Sequence, residues 1–336
     1  SDDEMVGLNK KRFFRKLDWA VFWTATAVSF SVYFYTLAPT VTLEDSGELA
    51  VAGDYLGVPH PPGYPIWTMI SWVFTKIFSF VTFRGQPNPA WSIGLVSAIF
   101  GALAAGITAM LICRSGSDFL HQSRETLHRA SQETENRICG IGGIVGSLLF
   151  AFSPVMWSQS TIIEVYSLNA FFLVLLFLLT YRWMSKPENS VLFATGFVFG
   201  LGLTNYQVLL LAALPLIIAI MLRDRALFRG FAIVGAPYIV VITGMKYGFL
   251  PSISHPIAID AFVYMALNLL ILTTTYFFLP RGKTIALTIL MVEIGVAFYG
   301  YMPLVSDLRN PPMNWGFPRT WEGFKHALSR GQYERI

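Results

Sequence analysis

The sequence predicts an all-α polytopic membrane protein of about nine transmembrane helices, with a helical first loop on the outer side. Three observations predict it. Of 336 residues, 54% are hydrophobic and only 13% are charged, whereas a soluble domain carries about a quarter charged residues. Apolar runs near the ~20 residues that cross a hydrocarbon core recur along the chain. Lys and Arg gather in alternate loops, as the preference for basic residues on the cytoplasmic side requires.

Residues 19–37 are the first span. Lys10, Lys11, Arg12, Arg15 and Lys16 precede it, which puts the N-terminus in the cytoplasm. The run is too long for a signal peptide and no small-residue cleavage site follows it, so it is expected to stay as an anchor. Further spans are expected at residues 90–113, 138–151, 166–184, 191–205, 208–222, 231–248, 259–279 and 285–303. Residues 64–83 are apolar enough to cross, with Lys76 their only charge, but their Trp and Phe content suits an interfacial helix. Loop charge favours the interfacial placement. Arg114, Arg124, Arg129, Arg137, Arg182, Lys186, Arg223, Arg225, Arg229, Arg281 and Lys283 then join the N-terminal five in the cytoplasm, 16 of 24 basic residues. A crossing at 64–83 reverses that bias.

The chain divides on this reading into a membrane domain, residues 1–303, with an acidic first outer loop at 38–89, and an outer polar and aromatic tail, residues 304–336. Residues 122–137 mix charge signs at helical spacing and are expected as an exposed cytoplasmic helix. Cys113 and Cys139 match no metal-ligand spacing and are expected as free thiols at helix ends. No repeat of fixed period is evident.

This topology puts every chemically suggestive cluster outside. Asp45-Ser-Gly-Glu48 fits a capped helix start, with Asp45 as cap, a helix from Ser46 to about Leu56, and Glu48 reaching back to the cap backbone. The competing reading is a site. Glu44 is an acid the cap does not need, and like charges crowded beside a low-dielectric bilayer cost stability. His60-Pro61-Pro62-Gly63 follows, and two prolines fix an extended segment and a turn that hold His60 over the membrane surface. Glu164 lies where a helix enters the membrane from outside, as a charge favoured by the helix dipole or as a wall of the same cavity. Asn205-Tyr206-Gln207 interrupts an apolar stretch, and polar groups at that depth need partners or water. Gly200 and Gly202 read as close helix packing. In the tail, Arg309, Asn314, Trp315, Arg319 and Trp321 form either an interfacial anchor or a lid whose Arg309 or Arg319 grips an anion. Residues 324–333 read as an amphipathic helix close to Ile336, so a continuation of the chain is expected.

No Gly-rich nucleotide loop, P-loop or His/Cys metal set occurs, which speaks against a nucleotide-dependent reaction on the cytoplasmic face. Activated groups on the outer side arrive on lipids. A carboxylate there can deprotonate an acceptor hydroxyl, and a cation can stabilise a leaving phosphate.

Asp45-Ser-Gly-Glu48, Leu56-Gly-Val58 and His60-Pro-Pro-Gly-Tyr-Pro65 resemble a signature of a large family of bacterial membrane proteins, relatives of an animal endoplasmic-reticulum protein O-mannosyltransferase. Gly202-Leu-Thr-Asn205-Tyr-Gln207 and Asn310-Pro-Pro-Met-Asn314-Trp-Gly are similar to that family too. More distantly, a carboxylate in the first outer loop is similar to the GT-C glycosyltransferase superfamily. The resemblance implies a GT-C-like bundle, a polyprenyl-phosphate sugar donor and inversion at the anomeric carbon. It implies Asp45 as general base and Glu44-Asp45 as the superfamily's paired acids. The family pattern often has His where Tyr206 stands.

The expectation is an inverting transferase that moves a sugar, mannose, to a hydroxyl of a protein Ser/Thr or a glycan. It would work on the extracytoplasmic face of a bacterial inner membrane. Glu48 and Glu44 would orient the acceptor or tune Asp45. His60, Tyr64, Glu164, Asn205, Arg309, Asn314 and Arg319 would contact donor phosphate or acceptor. No cofactor and no metal ligand are expected, although Glu44 and Asp45 could hold a divalent ion. Membrane lipids surround the chain and no nucleic acid is expected. Two rivals stand beside this: a transporter or lipid flippase, for which Lys246 and Glu293 are the only charges well inside later spans and no matching halves are visible, and a non-catalytic subunit of a membrane complex.

Overall fold

The computed structural model describes residues 13–123, 131–255 and 258–329. Lys10, Lys11, Arg12, Arg124, Arg129 and the end of the expected helix toward Tyr333 lie outside the described residues. Helix α1 (Lys16–Tyr35) leads to the first loop, which holds α2 (Ser46–Tyr55), α3 (Pro65–Ile77) and a small antiparallel hairpin, β1 (Thr82–Phe83) with β2 (Gln86–Pro87). Then come α4 (Pro89–Ser123), α5 (Gln132–Ala151), α6 (Pro154–Ser160), α7 (Tyr166–Ser185) and α8 (Asn189–Leu203). A 3-10 segment (Gln207–Ala212) opens α9 (Ala213–Arg223), followed by α10 (Arg225–Lys246) and α11 (Ile259–Phe278). Helix α12 (Gly282–Val296) continues through a 3-10 turn (Ala297–Gly300) into α13 (Tyr301–Leu308), and α14 (Trp321–Ser329) lies in the tail.

This is an all-α multi-pass membrane protein. Among the described residues, five helices are long and apolar enough to cross: α4, α7, α10, α11 and the run Gly282–Leu308. A sixth results if α5 and α6, bent by 70°, are one broken span. Pro154 has no N–H to continue α5, which accounts for the bend. The other expected spans differ for physical reasons. Helix α1 has 20 residues, but its Ser, Thr, Trp and Tyr content and its Lys16 and Asp18 lower its hydropathy. Helix α8 has 15 residues, roughly 22 Å at 1.5 Å per residue, against a hydrocarbon core of about 30 Å. Helix α3, within the stretch expected to lie at the interface, has 13 residues and is shorter still. The boundary expected at residue 303 falls inside the last long helix. The expected exposed helix at 122–137 is the end of α4 and the start of α5, with residues 124–130 outside the described set.

Helix α4 is the axis of the molecule. Ala98, Ala102, Ala105 and Ala109 on it are fully buried, and their small side chains let α1 and α5 pack closely. At one end Arg15 donates to Ser117 Oγ on α4 at 2.8 Å and to Asn136 Oδ1 on α5 at 3.4 Å, while its guanidinium grips buried Asp18 at 2.8 Å. Toward the other end the Tyr33 hydroxyl donates to the Ala151 carbonyl at 2.6 Å. Helices α8 and α12 touch at backbone distance, since a Cβ on Gly200 would sit 2.1 Å from the Val292 carbonyl oxygen. Of the two charges expected inside later spans, Lys246 is the last residue of α10 and lies over the Tyr247 ring. It is therefore at a helix end. Glu293 accepts from Asn268 Nδ2 at 3.2 Å, and Asn268 accepts from the Tyr238 hydroxyl at 2.6 Å.

Candidate active site

The first loop does not build the capped helix start its sequence permits. Asp45 occupies the cap position of α2, but its carboxylate makes no cap hydrogen bond. Only its backbone carbonyl accepts from Leu49 N–H, at 2.9 Å. Ser46 turns to the preceding turn instead, donating to the Thr42 carbonyl at 2.7 Å and accepting from Thr42 N–H at 2.9 Å. Glu48 does not reach back to the cap. It accepts from the His60 backbone N–H at 2.5 Å and lies 3.2 Å from His60 Nδ1. The Pro-Pro turn makes this pairing possible by bringing His60 back over α2, and Gly63 N–H closes it on the His60 carbonyl at 2.9 Å.

His60 Nε2 lies 2.9 Å from the Tyr64 hydroxyl and 3.9 Å from Asp45 Oδ2. The imidazole is mostly buried, whereas the Asp45 side chain is 61% exposed and free to meet a substrate. Glu44 sits in a left-handed backbone conformation, φ 62°, at the exposed edge of the turn. Asp54, near the end of α2, is not part of this group and pairs with Lys76 at 3.6 Å.

Glu164 comes from a different part of the chain, the loop between α6 and α7, and is 5% exposed. Its carbonyl accepts from the Trp67 indole on α3 at 3.2 Å and from Ser97 Oγ on α4 at 3.1 Å. Its own Oε2 accepts from Val165 N–H at 3.2 Å. Asn205, fully buried at the break after α8, donates to the Val165 carbonyl at 3.2 Å and so ties that break to the Glu164 loop.

These loops lie outside the spanning helices, and their electrostatics follow from burial and pairing. The hydrogen bond to Glu48 raises His60 above the ordinary imidazole value, against burial, and the charges of Glu48, Asp45 and Glu164 push the same way. Burial draws Glu48 upward, but the hydrogen bonds from the His60 ring and backbone outweigh it, and Glu48 lies below the ordinary carboxylate range. Burial pushes Glu164 up to about 7, reinforced by the charges of Glu44 and Asp45 and opposed by Val165 N–H and His60. The site thus holds an imidazole whose charged form Glu48 favours, a Glu48 carboxylate held below its ordinary range, an exposed Asp45 and a Glu164 carboxyl pushed up to about 7.

The tail reaches the same loop. Val58 N–H donates to the Met313 carbonyl at 2.8 Å and Trp315 N–H to the Val58 carbonyl at 3.0 Å, a parallel bridge pairing Val58 with Asn314. The Tyr301 hydroxyl donates to the Gly57 carbonyl at 2.7 Å. The Trp315 indole contributes to holding Glu48 ionised. Asn314 is thus tied by its neighbours' backbone to Val58, two residues before His60, while its side-chain Nδ2 donates to Asn310 Oδ1 at 3.4 Å, and the two tail arginines do not join the acids. Arg319 donates to Asn310 Oδ1 at 3.0 Å and lies over the Phe317 ring. Arg309 lines an apolar groove of about 370 Å³ with Leu56, Met69, Phe298, Tyr301 and Leu304. Among the described residues, no hydrogen bond or ion pair links either arginine to Asp45, Glu48 or Glu164.

Sequence reasoning gave no site role of its own to Trp315, read with the tail as an interfacial anchor or a lid, or to Tyr166, taken as the start of a span. The available signal was the polar break at residues 205–207, which has to pack against something polar.

Comparison with known proteins adds a family. The model of the protein O-mannosyl-transferase TMEM260 N-terminal domain matches residues 45–228, more than half of the chain, and includes Asp45, Glu48, His60, Tyr64, Glu164 and Asn205. The chain is 32% identical over 205 residues to a mouse protein named protein O-mannosyl-transferase TMEM260, covering 59% of this chain and 25% of the relative. It is 27% identical over 197 residues to a protein of the same name from Dictyostelium discoideum, covering 55% of this chain and 21% of the relative. The chain thus spans about a quarter or less of the length of these curated relatives. No solved structure gives a significant match. By its family match, the chain belongs to the protein O-mannosyl-transferase TMEM260 N-terminal domain family.

Proposed function

We propose that this chain is an inverting glycosyltransferase of the GT-C type, moving mannose from a polyprenyl phosphate to a protein Ser/Thr hydroxyl on the extracytoplasmic face. The observation that carries the proposal is the convergence of Asp45, Glu48, His60 and Glu164, from two separate loops, at one end of the helices. The family supports the chemistry, since both named relatives are O-mannosyl-transferases.

In this mechanism the acceptor oxygen attacks the anomeric carbon from the face opposite the phosphate. Asp45, the most open carboxylate of the group, takes the hydroxyl proton as general base. The bond from carbon to phosphate oxygen breaks, its electron pair stays on the phosphate, and the anomeric configuration inverts. His60, with Nδ1 on Glu48, donates from Nε2 to the phosphate in place of the Tyr64 hydroxyl and stabilises the charge that develops there. Tyr64 holds the imidazole until the phosphate takes its place, and Glu164, pushed up to about 7, carries less negative charge there than an ordinary carboxylate. Glu44 and Asn314 border the acceptor side. The groove with Arg309 at its lip takes the isoprenoid chain, with the guanidinium as a second anion contact. Arg319 would have to leave Asn310 to take part.

The test supplies purified protein with polyprenyl-phosphate mannose and an acceptor peptide. The expected result is transfer with inversion that falls by about 100-fold or more in Asp45→Asn, the usual weight of a general base. Transfer at the wild-type rate in Asp45→Asn would remove Asp45 from the mechanism.

A further inference from the structure

Two tyrosines without a role in that mechanism stand beside it. Tyr206 lies in extended backbone between α8 and the 3-10 segment, φ −151° and ψ 119°, so its side chain leaves the helix axis at the break. Its ring stands edge-on to Tyr166, with centroids 5.5 Å apart and planes at 87°. It tilts against Tyr64 at 6.4 Å, and Tyr64 in turn meets His60 edge-on at 5.2 Å. The four rings form a continuous row leading away from the imidazole. Their exposure rises along it: Tyr64 is 3% exposed, Tyr206 is intermediate and Tyr166 is 43% exposed. Tyr166 opens α7 two residues after Glu164, so the exposed end of the row adjoins the Glu164 loop.

A partly exposed aromatic pair beside a carboxylate-bearing loop has a natural ligand class. A pyranose has one face of C–H bonds and a rim of hydroxyls. The C–H face packs on the negative face of an aromatic ring, and the rim pairs with carboxylates and amides. We propose that Tyr206, with Tyr166, forms the aromatic wall against which the ring of the transferred hexose packs. The proposal rests on the transferase reading above and assigns the residues that recognise the sugar, separately from those that hold the phosphate.

The experiment measures equilibrium binding of two ligands to the purified full chain, polyprenyl-phosphate mannose and sugarless polyprenyl phosphate of the same length. Wild type is expected to prefer the mannosyl form. Tyr206→Leu, which keeps apolar volume but loses the ring, is expected to lose about 3- to 10-fold of that preference, the range for one aromatic contact, while binding of the sugarless lipid stays put. Tyr206→Phe is expected to keep most of the preference. Tyr166→Leu should change it in the same direction, and it decides the matter on its own if the Tyr206→Leu protein does not fold. Preference intact in both leucine variants, or equal weakening of both ligands, overturns the wall. Wild type binding both ligands alike also overturns it, and leaves the transfer assay to judge the reaction separately.

Discussion

The Glu48 carboxylate accepts from both the backbone and the ring of His60, and this pairing sets two charges together. In Glu48→Gln the ring loses the partner that raises it, so His60 releases its proton at lower pH. The alkaline limb of kcat/KM, read for transfer from the lipid-linked sugar, is therefore expected to move to lower pH. A limb that does not move takes the imidazolium out of phosphate binding. Glu164 gives the opposite kind of dependence. Its carboxyl is held up to about 7 in the folded chain, while an unfolded Glu releases its proton near 4.3. The folded state therefore binds the extra proton between these values, and its stability declines as pH rises through that window. The decline is on the order of 3 kcal/mol. Glu164→Gln removes it, so the thermal stability of the variant in detergent should gain on wild type between pH 5 and pH 8. Parallel curves would mean that Glu164 is solvated. The acids and the Pro-Pro histidine were legible in sequence as residues. Their pairing was not, because Asp45-Ser-Gly-Glu48 satisfies the rules of a capping box equally well, and only the return of His60 over α2 decides which hydrogen bond Glu48 makes.

Three elements meet at this site: α2 with its turn, the loop between α6 and α7, and the tail segment of residues 313–315. The tightest joint lies at Gly57, where an added Cβ would sit 2.6 Å from the Met313 carbonyl oxygen. Gly57→Ala should therefore push residues 313–315 away from Val58. Overpacking of this kind costs about 1–3 kcal/mol. Hydrogen exchange at the Val58 and Trp315 amides is expected to quicken by about 10-fold or more, with the long helices unaffected. Unchanged protection at both amides would mean that the tail adjusts elsewhere. The break between α8 and α9 could be read from its polar residues, and the α5–α6 bend from Pro154 once the helix is known to reach Ala151. The tail contact could not, since a parallel bridge of single residues leaves no periodic trace in either segment.

For the whole molecule, the low share of charged residues and the recurring apolar runs made the membrane class legible. The span count was less legible, because α1 carries too many hydroxyl and aromatic groups to register as apolar and α8 is short. The orientation proposed from loop charge can be tested with single cysteines, since Cys113 and Cys139 are buried and give little background. Cysteines replacing exposed Tyr55 and Glu322 are expected to react with a membrane-impermeant maleimide from the outer side. One replacing exposed Lys186 should react only after the membrane is opened. Labelling of Tyr55 and Lys186 positions from one side would refute the arrangement. The Val58–Asn314 bridge carries a last implication for biosynthesis. A ribosome delivers the first loop early and the segment that latches beside it only after the run Gly282–Leu308, so a partly made chain holds this loop unlatched.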